Sequence, residues 1–230
     1  MKAANANDII QLRQALAQRF PQVRTWSEQP PQKSRSCWPT GLPSLDALLQ
    51  GGLPKGALTE VVGPRSAAGT ATFLHALVRR SHQTRQFAAL IDGHDSFDPG
   101  ALTNAALSRL LWVRCHSAEE AIKAADIVLR DRNFPLVALD LKTNPNAQLR
   151  KISPTAWYRM QRIAAQNGVT LVVLTPLAIG GCADARLNLE SRFTLDDLAK
   201  EPEALALVLK FELVRWALGG AADATAAQAG

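Results

Sequence analysis

The chain has 230 residues, 47% of them hydrophobic, and 26 Lys and Arg against 20 Asp and Glu give a net charge of +6. That is enough apolar material for one sizeable core, but no apolar run reaches the roughly 18 to 20 residues of a membrane helix, and the opening MKAANANDII lacks the compact apolar stretch of a secretory leader. Cys37, Cys115 and Cys182 are scattered and the four histidines are unpaired in spacing, which argues against a disulfide framework and a zinc site and fits reduced thiols in a cytoplasmic protein with no membrane partner.

Residues 8–20 predict an amphipathic helix, with Ile9, Leu12 and Leu16 on one side and Pro21 ending it. The next segment, SEQPPQKSRS at 27–36, is polar and proline-rich and reads as a linker. Residues 1–40 hold six basic side chains against Asp8 and Glu28, a basic arm that either touches nucleic acid or is merely solvated. The main domain is expected over residues 37–218, beginning with a short helix at 44–49 closed by Gly51 and Gly52. Strands are predicted at 57–62, 86–92, 110–115, 135–141 and 169–175. One helix runs from a Ser117 cap to about Arg132, with Glu119 and Glu120 in its first turn, where the helix dipole favours acids. Another starts at Ser153 and Pro154 and ends at Gly168. Uniformly apolar strands alternating with helices predict an α/β fold with a mostly parallel sheet covered on both faces. Residues 185–195 and 204–217 read as two strands with no helix between them, hence an antiparallel edge, and 219–230 as a low-complexity Ala/Gly tail.

The stretch ALTEVVGPRSAAGTAT, residues 57–72, carries the clearest chemical signal. A phosphate-binding loop reads G-x-x-x-x-G-K-[ST] between a buried strand and a helix N-terminus. Here Gly63 is the first glycine and Thr70 the metal-side hydroxyl, but Ala68 replaces the second glycine and Gly69 the lysine. The lost lysine would reach the β- and γ-phosphates, so the main point charge for a triphosphate is gone. The expectation is no working cofactor, only a vestigial ATP/Mg site, although Gly63 and Gly69 also fit an ordinary strand-to-helix turn. Asp140, closing the apolar run PLVALDL, is either a magnesium-side carboxylate or a loop cap. Arg65 either supplies a substitute positive charge or faces solvent, and His94 either pairs with Asp92 or Asp95 or is a turn histidine. Trp157, Met160 and Ala164 share one helical face and read as core, beside the basic Arg159 and Arg162. Phe211 and Trp216 are partner-contact candidates, with burial against the sheet as the alternative.

Taken in order, these segments resemble the bacterial RecA recombinase core over roughly residues 38–217. PTGLPSLDALLQGGLPKGALTEVVGP is similar to the run that leads into a RecA-type phosphate loop. IDGHDSFDP is similar to the segment after the next strand, PLVALDL to the Walker B strand, and TLVVLTP with GGCADARLNLE to the strand, second DNA loop and returning strand. The resemblance implies a RecA-like fold with Thr70 and Asp140 near a magnesium ion. It places His94 where the recombinase has its water-activating glutamate, and Pro176 where a glutamine senses the γ-phosphate. Residues 143–153 correspond to the first DNA loop, which makes Arg150 and Lys151 the DNA-contact candidates. With the lysine and the glutamate both missing, hydrolysis loses charge stabilisation and base, each worth several kcal/mol, so no enzyme activity is expected.

The decayed loop together with the TGLPSLDALLxGGLPxGALTE signature resembles the ImuA family. That resemblance implies an accessory role in damage-induced mutagenic translesion synthesis and in the SOS response. The implied partners are ImuB (a catalytically inactive relative of Y-family polymerases), an error-prone DnaE-type polymerase, RecA and DNA. A SulA-type cell-division inhibitor is the alternative of another class, and a DNA-dependent ATPase the third.

Overall fold

In the computed structural model, residues 36–65, 69–179, 181–191 and 193–218 are described. The expected helix at 8–20, the linker up to Arg35, Ala68 and the tail at 219–230 lie outside them. Two strands, β1 (Cys37–Trp38) and β2 (Leu53–Pro54), pair antiparallel around helix α1 (Pro43–Leu48). The rest is built on a seven-stranded sheet. Its strands are β3 (Ala57–Val62), β4 (Ala88–Asp92), β5 (Leu110–Arg114), β6 (Leu136–Asp140), β7 (Thr170–Thr175), β8 (Ala185–Leu189) and β9 (Phe211–Trp216). Their spatial order is β5-β4-β6-β7-β3-β8-β9, all pairs parallel except β8 with β9. The parallel core is as expected, and each of its five predicted strands forms within about two residues of its expected ends.

Both faces of the central strands must be covered because their residues are apolar on both sides. On one face, Leu58, Ile91, Val137, Leu139, Leu171 and Val173 pack under two long helices. These are α4 (Ala118–Asp131), which follows α2 (Thr70–Gln83) and the short α3 (Asn104–Leu107) in the chain, and, after α5 (Asn146–Leu149), α6 (Pro154–Asn167). Helix α4 buries Ala121, Ile122, Ala125, Val128 and Leu129, an i, i+3, i+4 stripe, and its Ser117 cap accepts the Glu120 amide at 3.2 Å. Helix α6 starts at a Ser153 cap with Pro154 in the first turn and stops at Gly168, whose φ of +67° only a residue without Cβ takes easily. Trp157, Met160 and Ala164 are buried, as the helical spacing predicts, whereas Tyr158 between them is 54% exposed. On the other face, Phe73, Leu74 and Leu77 of α2 and Leu45 of α1 cover Val61, Leu90, Ala138, Val172, Leu174 and Leu187.

One expectation fails. Between β8 and β9 the chain makes two short helices, α7 (Leu195–Leu198) and α8 (Pro202–Leu207), instead of passing directly from strand to strand. Thr194 and Asp197 exchange a capping box, and Pro202 occupies the first turn of α8. These local start signals override the apolar content of ALALVL, and the last strand begins only at Phe211. The antiparallel edge itself forms, with a bulge between Arg186 and Leu187. Among the described residues, no helix is long and apolar enough to cross a membrane.

Candidate nucleotide site

The parallel register brings the carboxyl ends of four strands to one rim. Asp92 of β4 lies opposite Asp140 of β6, Asp140 opposite Leu174 of β7, and Leu174 opposite Val61 of β3. In doubly wound sheets this rim is where ligands bind. The loop residues Gly63, Gly69 and Thr70 therefore converge in space with Asp140, which lies far from them in the chain.

Gly63 continues the pairing of β3, its amide donating to the Thr175 carbonyl at 3.2 Å. A Cβ there would stand 3.0 Å from the Leu189 carbonyl oxygen, a close approach of two backbones that a larger residue would have to push apart. Gly69 is the N-cap of α2, with φ of +110°. A Cβ on Gly69 would meet Leu209 Cδ2 at 2.9 Å and Ser191 Cβ at 3.2 Å. Conformation and crowding both oppose a side chain at this position.

Thr70 opens α2, and its hydroxyl accepts a hydrogen bond from the Nζ of Lys142. Lys142 was not among the residues singled out in the sequence. It follows β6 by two residues, is only 5% exposed, and donates its backbone amide to Asp140 Oδ1 at 3.0 Å. A lysine just past a strand end reads as solvated; the signal that betrays it is its place two residues after Asp140 on the strand one removed from β3. Burial lowers the Lys142 pKa, and the charge of Asp140 pulls it back up. Burial raises Asp140 to about 6; the Lys142 amide opposes the rise, Asp92 adds to it, and the Lys142 charge opposes it. The buried carboxylate and the buried ammonium thus support each other's ionised forms.

Arg65 does not point freely into solvent. Its Nη1 donates to the Thr143 carbonyl at 2.7 Å, and its Nη2 donates to the Asn144 carbonyl and to Asn146 Oδ1, the latter at 2.9 Å. The loop after β3 is therefore laced to the loop after β6. Asn144 is buried beneath this lacing and donates Nδ2 to the Gly93 carbonyl at 2.7 Å.

Asp92 is fully buried and organises the turn that follows it, accepting from the amides of Ser96 at 3.0 Å and Phe97 at 2.8 Å and from Trp112 Nε1 at 3.3 Å. His94 meets Asp92 through its backbone amide at 3.4 Å while its side chain is exposed, and Asp95 is held by Arg114 at 2.5 Å. A third buried carboxylate, Glu60, escaped notice in the sequence. It accepts from Arg186 Nε at 2.6 Å, from the Ile179 amide at 2.6 Å and from the Thr175 hydroxyl at 3.3 Å. It thereby fixes the start of the segment after β7, where Pro176 sits.

Arg150 and Lys151 are exposed at the end of α5, beyond the buried Leu149. Phe211 and Trp216 lie partly buried against the core, Phe211 edge-on to Phe73 at 5.2 Å, while Val214 between them is 50% exposed. This is the burial alternative that the sequence left open.

Comparison with known proteins gives the same answer as the strand order. The curated relatives include the RecA protein of Clavibacter michiganensis subsp. michiganensis, 33% identical over 105 residues, which are 44% of this chain and 29% of that protein. RecA of Kineococcus radiotolerans is 34% identical over 105 residues, again 44% of this chain and 30% of the relative. The matched region thus spans less than a third of these RecA proteins. Among solved structures, the RadB recombinase superimposes with a TM-score of 0.53 at 22% identity, over 66% of this chain and 83% of that one, a likeness of fold. Residues 24–149, more than half of the chain, match the RecA N-terminal domain, and the protein belongs to that family.

Proposed function

We propose that this protein is a non-catalytic RecA-like accessory factor of damage-induced mutagenic translesion DNA synthesis. It joins an ImuB-type polymerase-like protein to an error-prone DnaE-type polymerase, and it also contacts RecA. The observation that carries the reading is the combination at the sheet rim: the RecA-type strand arrangement is intact while Gly69 stands where the phosphate-gripping lysine belongs, at a left-handed and crowded position that strains any side chain. Such a scaffold keeps the surfaces of a recombinase core without the means of driving a nucleotide cycle. The signature leading into β3, TGLPSLDALLQGGLPKGALTE, supports the ImuA-like assignment over other stripped RecA relatives.

The test is co-purification of the full chain with each candidate, accompanied by phosphate-release measurements with ATP and single-stranded DNA. Retention of the ImuB-type protein with no phosphate release above background is the expected result. Retention instead of the cytoskeletal GTPase that SulA-type inhibitors bind would transfer the assignment to the SulA type, and DNA-stimulated phosphate release would overturn the non-catalytic reading.

A further inference from the structure

The group that the fold family implies at this rim is a magnesium nucleotide, and the residues present can be tested against it. Such a ligand needs the Thr70 hydroxyl and the Asp140 carboxylate turned toward a divalent ion, and a lysine on the outer phosphates. Thr70 Oγ1 already receives Lys142 Nζ. Asp140 already receives the Lys142 amide, so one residue is fastened at both its backbone and its side-chain end to the two would-be metal ligands. The ammonium lies 3.8 Å from where a Cβ on Gly63 would be, which places it inside the mouth of the loop rather than over solvent. Arg65, bonded to Thr143 and Asn146, holds down the segment that carries Lys142.

We propose that the Lys142 ammonium is a built-in counter-cation that occupies the Thr70 hydroxyl, while the amide of the same residue occupies the Asp140 carboxylate, so that the cleft does not accept a magnesium nucleotide. Like charges repel strongly where water is scarce, and a divalent ion entering here would meet a cation already in place. Lysine suits the role because its ammonium is a compact charge with donors in several directions, on a stem long enough to cross from β6 past β7 to the start of α2. The inference stands on the geometry of this cleft and not on the identity of any partner. The metal titration and the co-purification can therefore succeed or fail independently.

The experiment is titration of the full chain with manganese, read by electron paramagnetic resonance, for the wild type, Lys142→Met, and Lys142→Met combined with Asp140→Asn. Lys142→Met is expected to bind manganese at least about tenfold more tightly than the wild type, reaching the weak affinity typical of sparsely liganded oxygen sites, roughly millimolar or somewhat better. The added Asp140→Asn change is expected to abolish that gain. Equal manganese binding by the wild type and Lys142→Met, or a gain that survives Asp140→Asn, would overturn the proposal. A melting measurement that does not use Lys142→Met covers the case in which that variant fails to fold, and it is made on the wild type and on Asp140→Asn. The wild-type melting temperature is expected to be unmoved by manganese with ADP, and a rise that disappears in Asp140→Asn would equally refute the inference.

Discussion

Gly69 shows how a single position can be closed to reversion. Restoring the family's lysine there would force a residue with a Cβ into φ of +110° and drive that Cβ to within 2.9 Å of Leu209 and 3.2 Å of Ser191. Left-handed strain for a non-glycine residue and overpacking each cost on the order of 1–3 kcal/mol. Gly69→Lys is therefore expected to lower the denaturant midpoint by an amount equivalent to about 2 kcal/mol or more, and to leave phosphate release at background. A variant as stable as the wild type would show that the loop relaxes around the new side chain. At this scale the loss of the lysine was plain in the sequence, because a fixed spacing makes a missing residue visible. The role of Lys142 was not, since its meeting with Thr70 depends on β6 and β3 flanking β7, and no local pattern encodes that order. Arg65 was legible as a charge but not as a tie, for the same reason.

Helix α2 packs His75 against the core, edge-on to Phe97 at 5.3 Å, and the ring donates Nε2–H to the Asp98 carbonyl at 2.7 Å. Burial is the largest influence on this group and lowers its pKa from 6.5; the bond to Asp98 works the other way, and nearby Arg79 adds to the lowering. A base with a depressed folded-state pKa is neutral in the native protein while the unfolded chain takes up a proton first as the pH falls. Its contribution is thus complete above about pH 6.5 and is lost as the pH drops below it, at no more than about 1.4 kcal/mol per pH unit for one proton. Guanidinium denaturation at pH 7.5 and pH 5.5 should show a smaller loss for His75→Gln than for the wild type; equal losses would remove His75 from the account. The long helices were readable from their caps and apolar stripes, because Ser117, Ser153, Pro154 and Gly168 act through their own backbone neighbours. The connection between β8 and β9 was misread because its helices are only 4 and 6 residues long, too short for periodicity to separate them from apolar strand.

For the molecule as a whole, the protection of each strand should follow its place in the sheet. Strands β6, β7 and β3 have partners on both edges and helices on both faces, whereas among the described residues β5 and β9 are each paired along one edge. Native-state hydrogen exchange is expected to be slowest in 136–140, 170–175 and 57–62, and faster by at least an order of magnitude in the edge strands 110–114 and 211–216. Uniform protection from edge to edge would mean that the sheet opens only as a single unit. The fold was largely legible because doubly covered parallel strands are apolar throughout, a pattern few other architectures produce. What the sequence withheld were the long-range polar links across the rim, each joining residues dozens of positions apart.

The meeting of Glu60 with Arg186 acts on chain alignment as much as on charge. The two residues stand directly opposite on β3 and β8, and the carboxylate has no exposed surface. Sliding β8 by one position would turn the guanidinium to the other side of the sheet and strand a naked carboxylate in hydrocarbon, a far dearer state than an empty pairing of leucines. The strand next to a kinked outer neighbour is thereby pinned in a single alignment, and the edge beyond it inherits that setting.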